Sequence, residues 1–301
     1  MQLCSFLDDA DTPRVGVVTP AGVVDVTDQI PATGQGGPMR RLLAAGHLLP
    51  SLSLNGPVVS NPRLSAVVPD PSKVVAAPVN YVDHQLEMTQ DSHIDALGVF
   101  LKAPSSVTGH GSVVQIPYTD RRFDQEGELA VVIGRRASHV SADDALDFVA
   151  GYTCLLDMTL RGGEDRSVRK SFDTFTPVGP YLVTPDEVGP VAELELHTWV
   201  DGVLRQRADL KDLIWDVPRL ISYISSVMVL EPGDIIATGT PEGVGQIFDG
   251  QRVAVEITNI PRLDITVSSV GAIPCPTLGK DKGPPPPTTL TPVFERGVLT
   301  N

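Results

Sequence analysis

Apolar residues fall along the chain in short runs broken by turn residues, a pattern that predicts strands far more often than helices. Near the N-terminus, MQLCSF and RVGVVTPAGVVDV read as two or three antiparallel strands with a hairpin at Pro20-Ala21-Gly22. MRRLLAAGHLL, residues 39 to 49, has helical apolar spacing and is expected to pack on those strands. Residues 1 to 69 therefore read as a small β-rich N-terminal domain.

From residue 70 the runs become β-branched and closely spaced: KVVAA, GVFLK, SVVQIP, GELAVVIG, YTCLLDM, GPYLVT, LELHTWV, DIIATG, RVAVEI and LDITVSS, separated by Gly and Pro. This texture predicts a β-dominated barrel or sandwich over 70 to 272. Three segments read as helix. They are 83 to 92; 141 to 149, opened by a capping-box-like Ser141 and Asp144; and 211 to 229, with Leu213, Ile214, Val217, Leu220, Ile221 and Ile224 along one face. Residues 273 to 301 form a Pro-rich tail whose four consecutive prolines favour polyproline II, free to drape on a partner subunit. There is no internal repeat.

At 301 residues, 42% apolar and 20% charged, the chain has ordinary globular composition and can build a sizeable core. Its formal net charge of −14 comes without a basic run, which argues against nucleic acid. It also means that an anionic ligand needs a local cation. No apolar run reaches membrane-span length and MQLCSFLDDAD is unlike a signal peptide, so the expectation is a cytoplasmic protein with no membrane partner. Cys4, Cys154 and Cys275 are too few and scattered for a disulfide framework and read as inert thiols.

The strongest chemical signal is DQEGELAVVIG, residues 124 to 134. In an extended strand Glu126 and Glu128 face the same way, and two carboxylates so close call for a cation between them. The competing reading is a solvent-facing acidic stripe. Asp157 ends the apolar strand GYTCLLDM, where it either completes a three-carboxylate site or caps the next turn. Oxygen-only ligation favours Mg²⁺ or Mn²⁺, then Ca²⁺, over zinc. His84 and Glu87 lie three apart on one predicted helix, as a general-base pair or as a surface salt bridge. His47, His93, His110, His139 and His197 have no comparable partner in the sequence and read as structural.

NYVDHQLE at 80, FLKAPSSVTG at 100, EGELAVVIG at 126, AGYTCLLDMTLR at 150, RKSFDTFTPVGPYLVT at 169 and LEPGDIIATGTPEGVG at 230 follow an order that resembles the fumarylacetoacetate hydrolase family across residues 70 to 270. The leading strands look like the small N-terminal domain of many bacterial members. The resemblance implies an α+β, β-dominated fold with mixed sheets in a barrel-like catalytic domain, and a homodimer. It implies Glu126, Glu128 and Asp157 as metal ligands, His84 with Glu87 as general base in a closing lid, and Lys170 near the reacting carbonyl. Arg161, Lys102 and Thr240 match substrate-contacting positions. After the strand the family often reads D-x-T-A-R-D-x-Q, whereas this chain has Gly162 and Glu164. A carboxylate at the substrate-binding position 164 cannot donate as an amide does unless it is protonated; the alternative role for Glu164 is a pair with Arg161 or Arg166.

The implied activity is hydrolysis of a carbon–carbon bond in a 2,4-diketo acid, acylpyruvate or fumarylacetoacetate-like, in aromatic catabolism. Two alternatives stand beside it. The same site can serve a decarboxylase or isomerase acting on oxaloacetate or an unsaturated 2-oxo diacid, and the scaffold can serve a non-catalytic binding protein. Neither a Rossmann fingerprint nor a P-loop occurs.

Overall fold

The computed structural model describes residues 1–90, 92–277 and 279, and of His47 and Leu48 only the backbone. The polyproline stretch and the rest of the tail from residue 280 lie outside the described residues.

A 12-stranded mixed sheet organises the chain. It runs from Val58–Val59 through Gly22–Asp25, Pro13–Thr19 and Gln2–Leu7 to Thr176–Val183, Val149–Leu156, Gly127–Ile133, Ile235–Ala237, Val74–Ala76 and Phe100–Lys102. Gln2–Leu7 pairs antiparallel with Thr176–Val183, joining the N-terminal hairpin to the strands that carry the chemistry. One apolar core is shared between them, with Leu3, Val15 and Leu42 packed alongside Val132, Leu155 and Ala237. The path is open at both ends, so the expected barrel-like closure is replaced by an extended mixed sheet. A five-stranded sheet covers its other face, in the order Val203–Asp209, Glu195–Val200, Arg252–Ile257, Ile260–Ser268 and Val113–Gln115. Between the layers lie Leu129, Val131, Leu196, Val255 and Leu263, all fully buried. Alternation decides which side chains enter: Glu195–Val200 buries every second residue, as a strand with one face on a core must.

The runs predicted as strands form strands, but the predicted helices are shorter. Ser141 and Asp144 make the capping contacts, the Asp144 amide donating to Ser141 Oγ at 3.3 Å. Only a 3₁₀ turn, Ala145–Phe148, follows. Val149 already belongs to a strand paired on both sides, and those ladders outweigh the local helical start. The segment predicted at 211 to 229 yields a helix only at Val217–Val227, opened by Asp216 and by Pro218 in its first turn. The segment at 83 to 92 gives Val82–Glu87, and that at 39 to 49 gives Pro38–Ala44 followed by a 3₁₀ turn. The strand Val203–Asp209 is unforeseen because it carries charge at alternate positions, Arg205, Arg207 and Asp209, and buries only Gln206 fully. Among the described residues no helix is long and apolar enough to cross a membrane.

Candidate active site

Register brings the three acids together. Gly127 lies opposite Leu156 and Glu128 opposite Leu155, so the next pair outward is Glu126 with Asp157, linked by the Asp157 amide donating to the Glu126 carbonyl at 2.8 Å. Facing residues of an antiparallel pair share a side of the sheet, and Glu126 and Glu128, two apart, share it too. One carboxylate oxygen from each of Glu126, Glu128 and Asp157 lies within 4.8 Å of the others, and all three residues are buried. The acidic-stripe and turn-cap readings therefore fall away.

Gly127 sits between the two glutamates because nothing larger fits. A Cβ there would stand 2.0 Å from Thr198 Oγ1. Gln206, from the unforeseen strand, accepts from the Gly127 amide at 2.8 Å and donates to Thr240 Oγ1 at 2.7 Å and the Pro241 carbonyl at 2.9 Å. Thr240 in turn donates to the Gly127 carbonyl at 2.9 Å. One amide thus locks the strand holding Glu126 and Glu128 to the turn after Ile235–Ala237. Gly239, with φ +98°, lets that turn bring its amide to Glu128 Oε2 at 2.7 Å.

Cations ring the acids. The Lys170 ammonium donates to Glu126 and Asp157, and Lys102 to Asp157 and, at 2.8 Å, to the Phe175 carbonyl. Arg161 reaches Asp124 through Nε at 2.8 Å and Glu126 through Nη2 at 2.9 Å. Burial alone would raise the Glu126 pKa, but Lys170 and Arg161 outweigh it and hold the carboxyl well below its ordinary value. Glu128 goes the other way: burial, then the neighbouring Asp157 charge, raise it well above the usual range. Burial lowers the Lys102 ammonium against the pull of Asp157. The donor set is hard and all-oxygen, and burial beside a like charge drives one of its acids toward protonation. That combination fits a divalent cation.

His84 and Glu87 sit on the Val82–Glu87 helix, His84 5% exposed, with Nδ1 3.1 Å from Glu87 Oε2. Glu87 Oε1 accepts from the Gly243 amide at 2.9 Å, so the pair is anchored rather than a surface salt bridge. His84 shares with the three acids, Arg161, Lys170 and Thr240 a narrow, partly open cavity of about 30 Å³, room for about one water. Larger cavities, one of about 810 Å³ along residues 60 to 69 and 107 to 112, contain none of these acids.

Two expected residues lie elsewhere. Glu164 is off the cavity and pairs with neither Arg161 nor Arg166; both its oxygens are taken by Arg121, at 2.8 and 2.9 Å. Lys102 is 1% exposed and touches Asp157 without lining the cavity. Among the histidines read as structural, His93 and His197 do have carboxylate neighbours, Asp95 and Glu195, but neither lines the cavity. Sequence reasoning missed Arg166 and Arg169 on the cavity wall, and the supports Arg121, Asp124, Gln206 and Asn80. Asn80 donates to the Trp215 and Thr238 carbonyls at 2.8 Å, tying the start of the His84 segment to the Thr240 turn. The spacing in DRSVRK offered a signal for the arginines; the supports carry none, since Arg121, Asp124 and Gln206 stand among other polar residues in the chain.

The family model described as fumarylacetoacetate (FAA) hydrolase C-terminal matches residues 73–268. A maleylpyruvate hydrolase from Aquipseudomonas alcaligenes is 39% identical over 291 residues, covering 90% of this chain and 100% of the relative. An oxaloacetate tautomerase from Bacillus subtilis is 40% identical over 222 residues, covering 71% and 73%. The crystal structure of a maleylpyruvate hydrolase from Sphingobium sp. SYK-6 with manganese(II) and pyruvate superposes with a TM-score of 0.75 at 38% identity, covering 89% of this chain and 99% of that one.

Proposed function

Because the chain belongs to the fumarylacetoacetate hydrolase family, we propose that it is a divalent-cation-dependent hydrolase that cleaves the carbon–carbon bond of a 2,4-diketo acid of the acylpyruvate class. The observation that carries this reading is the convergence of Glu126, Glu128 and Asp157 within 4.8 Å in one buried cavity with His84. Mg²⁺ or Mn²⁺ are the first candidates and Ca²⁺ the next, held by those three acids. When bound, such a cation would supply Lewis-acid polarisation of the substrate's keto-acid oxygens.

The chain's own residues do the rest. Glu87 fixes the His84 ring through Nδ1, leaving Nε2 to take a proton from water as its oxygen attacks the distal carbonyl. Lys170 gives two of its three N–H groups to Glu126 and Asp157 and keeps the third for the developing oxyanion. Arg161, held by Asp124 and Glu126, presents its remaining donors to the substrate carboxylate, and Thr240 closes the opposite wall. The bond between the attacked carbonyl carbon and the pyruvyl methylene breaks. Hydroxyl stays on the acyl fragment and a proton goes to the methylene, giving an acid and pyruvate. A cytoplasmic homodimer serving aromatic catabolism, with residues 1–69 as its leading domain, completes the reading.

The second reading, tautomerisation or decarboxylation of an oxo diacid, is supported by the similarity to the oxaloacetate tautomerase, since His84 can also shuttle a substrate proton. The test is chelator-stripped protein assayed with acylpyruvates, oxaloacetate and unsaturated 2-oxo diacids, with and without added Mn²⁺ or Mg²⁺. Pyruvate released together with the matching acid only after cation is restored supports hydrolysis. Enol–keto interconversion or CO₂ release without that cleavage establishes the second reading instead.

A further inference from the structure

Arg166 and Arg169 stand three apart on the one-turn Arg166–Arg169 helix, and both line the cavity over the three acids. Asp165 caps that turn by accepting from the Ser167 amide at 2.8 Å, while Ser167 and Val168 face outward. Every other cation at the site has its anion. Lys102 is bonded to Asp157, Lys170 to Glu126 and Asp157, and Arg161 to Asp124 and Glu126. Arg169, only 8% exposed, is different: among the described residues neither its guanidinium nor that of Arg166 has a hydrogen-bond or ion-pair partner.

A buried guanidinium without an anion is unfavourable, because burial and like charge both oppose it. Here burial first, and Arg161 next, bring the Arg169 pKa down to about 10, which still leaves it charged at neutral pH. The opposition is relieved when a carboxylate enters, since a planar guanidinium can grip one through two parallel N–H bonds.

We infer that Arg169, with Arg166 beside it, receives a second carboxylate on the substrate, at the far end of the acyl group from the keto acid. The inference rests on the acylpyruvate reading above and narrows it to dicarboxylic acylpyruvates. The partnered cations and the acid triad serve the keto-acid end. The unpartnered arginines serve the tail.

The experiment compares acetylpyruvate, which has one carboxylate, with fumarylpyruvate and maleylpyruvate, which have two, on the cation-loaded full chain and its Arg169→Met, Arg169→Lys and Arg166→Gln variants. Arg169→Met keeps the apolar stem and removes the charge. The ratio of kcat/KM for the dicarboxylic over the monocarboxylic substrate should fall about tenfold to a hundredfold in Arg169→Met, and Arg169→Lys should recover part of it. An equal loss on both substrates would mean that Arg169 only supports the fold, and overturns the inference. Calorimetry with succinate and butyrate as probes separates the two readings. If the wild type hydrolyses no acylpyruvate, the assigned reaction fails, yet tighter succinate than butyrate binding that disappears in Arg169→Met still upholds the subsite. Equal binding of the two probes by the wild type overturns it.

Discussion

Lys170 donates from one ammonium to both Glu126 and Asp157, so a side chain from the loop after the Arg166–Arg169 helix bridges acids on two paired strands. It bridges two of the three clustered carboxylates and leaves Glu128 with the Gly239 amide as its hydrogen-bond donor, while burial first, and the neighbouring Asp157 charge next, push Glu128 toward protonation.

Adding a divalent cation should therefore stabilise the protein. At a hundred times its dissociation constant a ligand specific to the native state contributes about 2.7 kcal/mol, a rise in Tm of about 4 °C for a chain of this size. Scanning calorimetry of chelator-treated protein against added Mn²⁺ or Mg²⁺ reads this directly. Glu128→Gln should lose most of the rise. If the wild type melts at the same temperature with and without cation, the three acids are a lysine-balanced structural cluster and not a metal site.

His84 and Glu87 should separate catalysis from cation binding. His84→Ala is expected to lower kcat for acylpyruvate hydrolysis by about 10²–10⁴, while the cation-induced rise in Tm persists. Glu87→Gln keeps a hydrogen-bonding partner for the ring and should lose less. Full hydrolytic activity in His84→Ala would remove the proposed route through water activation.

Much of this was legible in the chain because period-2 patterning survives tertiary packing. GELAVVIG and RVAVEI form strands where their residues say so, and the two-residue spacing of Glu126 and Glu128 places them on one face. What the sequence leaves hidden is register and competition. That Asp157 faces Glu126 follows from a ladder between strands whose pairing no local signal reveals. Ser141 and Asp144 make a helical start that the adjoining ladder overrides after a single turn. Glu164 looked like a substrate contact because it stands where the family motif D-x-T-A-R-D-x-Q has its glutamine. Arg121, more than forty residues earlier, claims it through a bidentate pair that only the fold brings together.

That pair also positions Arg161. Arg121 donates to the Arg161 carbonyl at 3.1 Å, the Arg161 amide donates to the Arg122 carbonyl at 2.9 Å, and Glu164 accepts from Thr277 Oγ1 at 3.2 Å. Glu164→Ala should cost about 1–3 kcal/mol of stability, because it strands a buried guanidinium, and should raise KM more than it lowers kcat. The Arg121 hydrogen bonds hold the Glu164 carboxyl below its ordinary range. A depressed carboxylate stabilises at pH values above its unfolded pKa, about 4.3, and loses that contribution as pH falls through the lower folded value. The stability gap between wild type and Glu164→Gln, followed by urea unfolding, should therefore narrow as the solution is acidified below about pH 4. A gap that is constant with pH would mean that the pair contributes packing rather than charge.

Gln206 is the support whose loss should reach the acids most directly. It is fully buried, and it spans from the Gly127 amide to Thr240 and the Pro241 carbonyl, so Gln206→Leu leaves a donor and an acceptor unsatisfied at about 1–3 kcal/mol each. Glu126 and Glu128 flank that amide, and the Thr240 turn carries the Gly239 donor to Glu128; freeing either side lets the carboxylates spread. Gly127→Ala should act from the other direction, driving a methyl group against Thr198 Oγ1 and shifting both glutamates, with an overpacking cost of about 1–3 kcal/mol. Both variants should weaken Mn²⁺ binding in an equilibrium titration as well as lowering the urea midpoint at constant slope. If stability falls while the Mn²⁺ dissociation constant stays at its wild-type value, Gln206 and Gly127 hold the sheet together without setting the spacing of the acids.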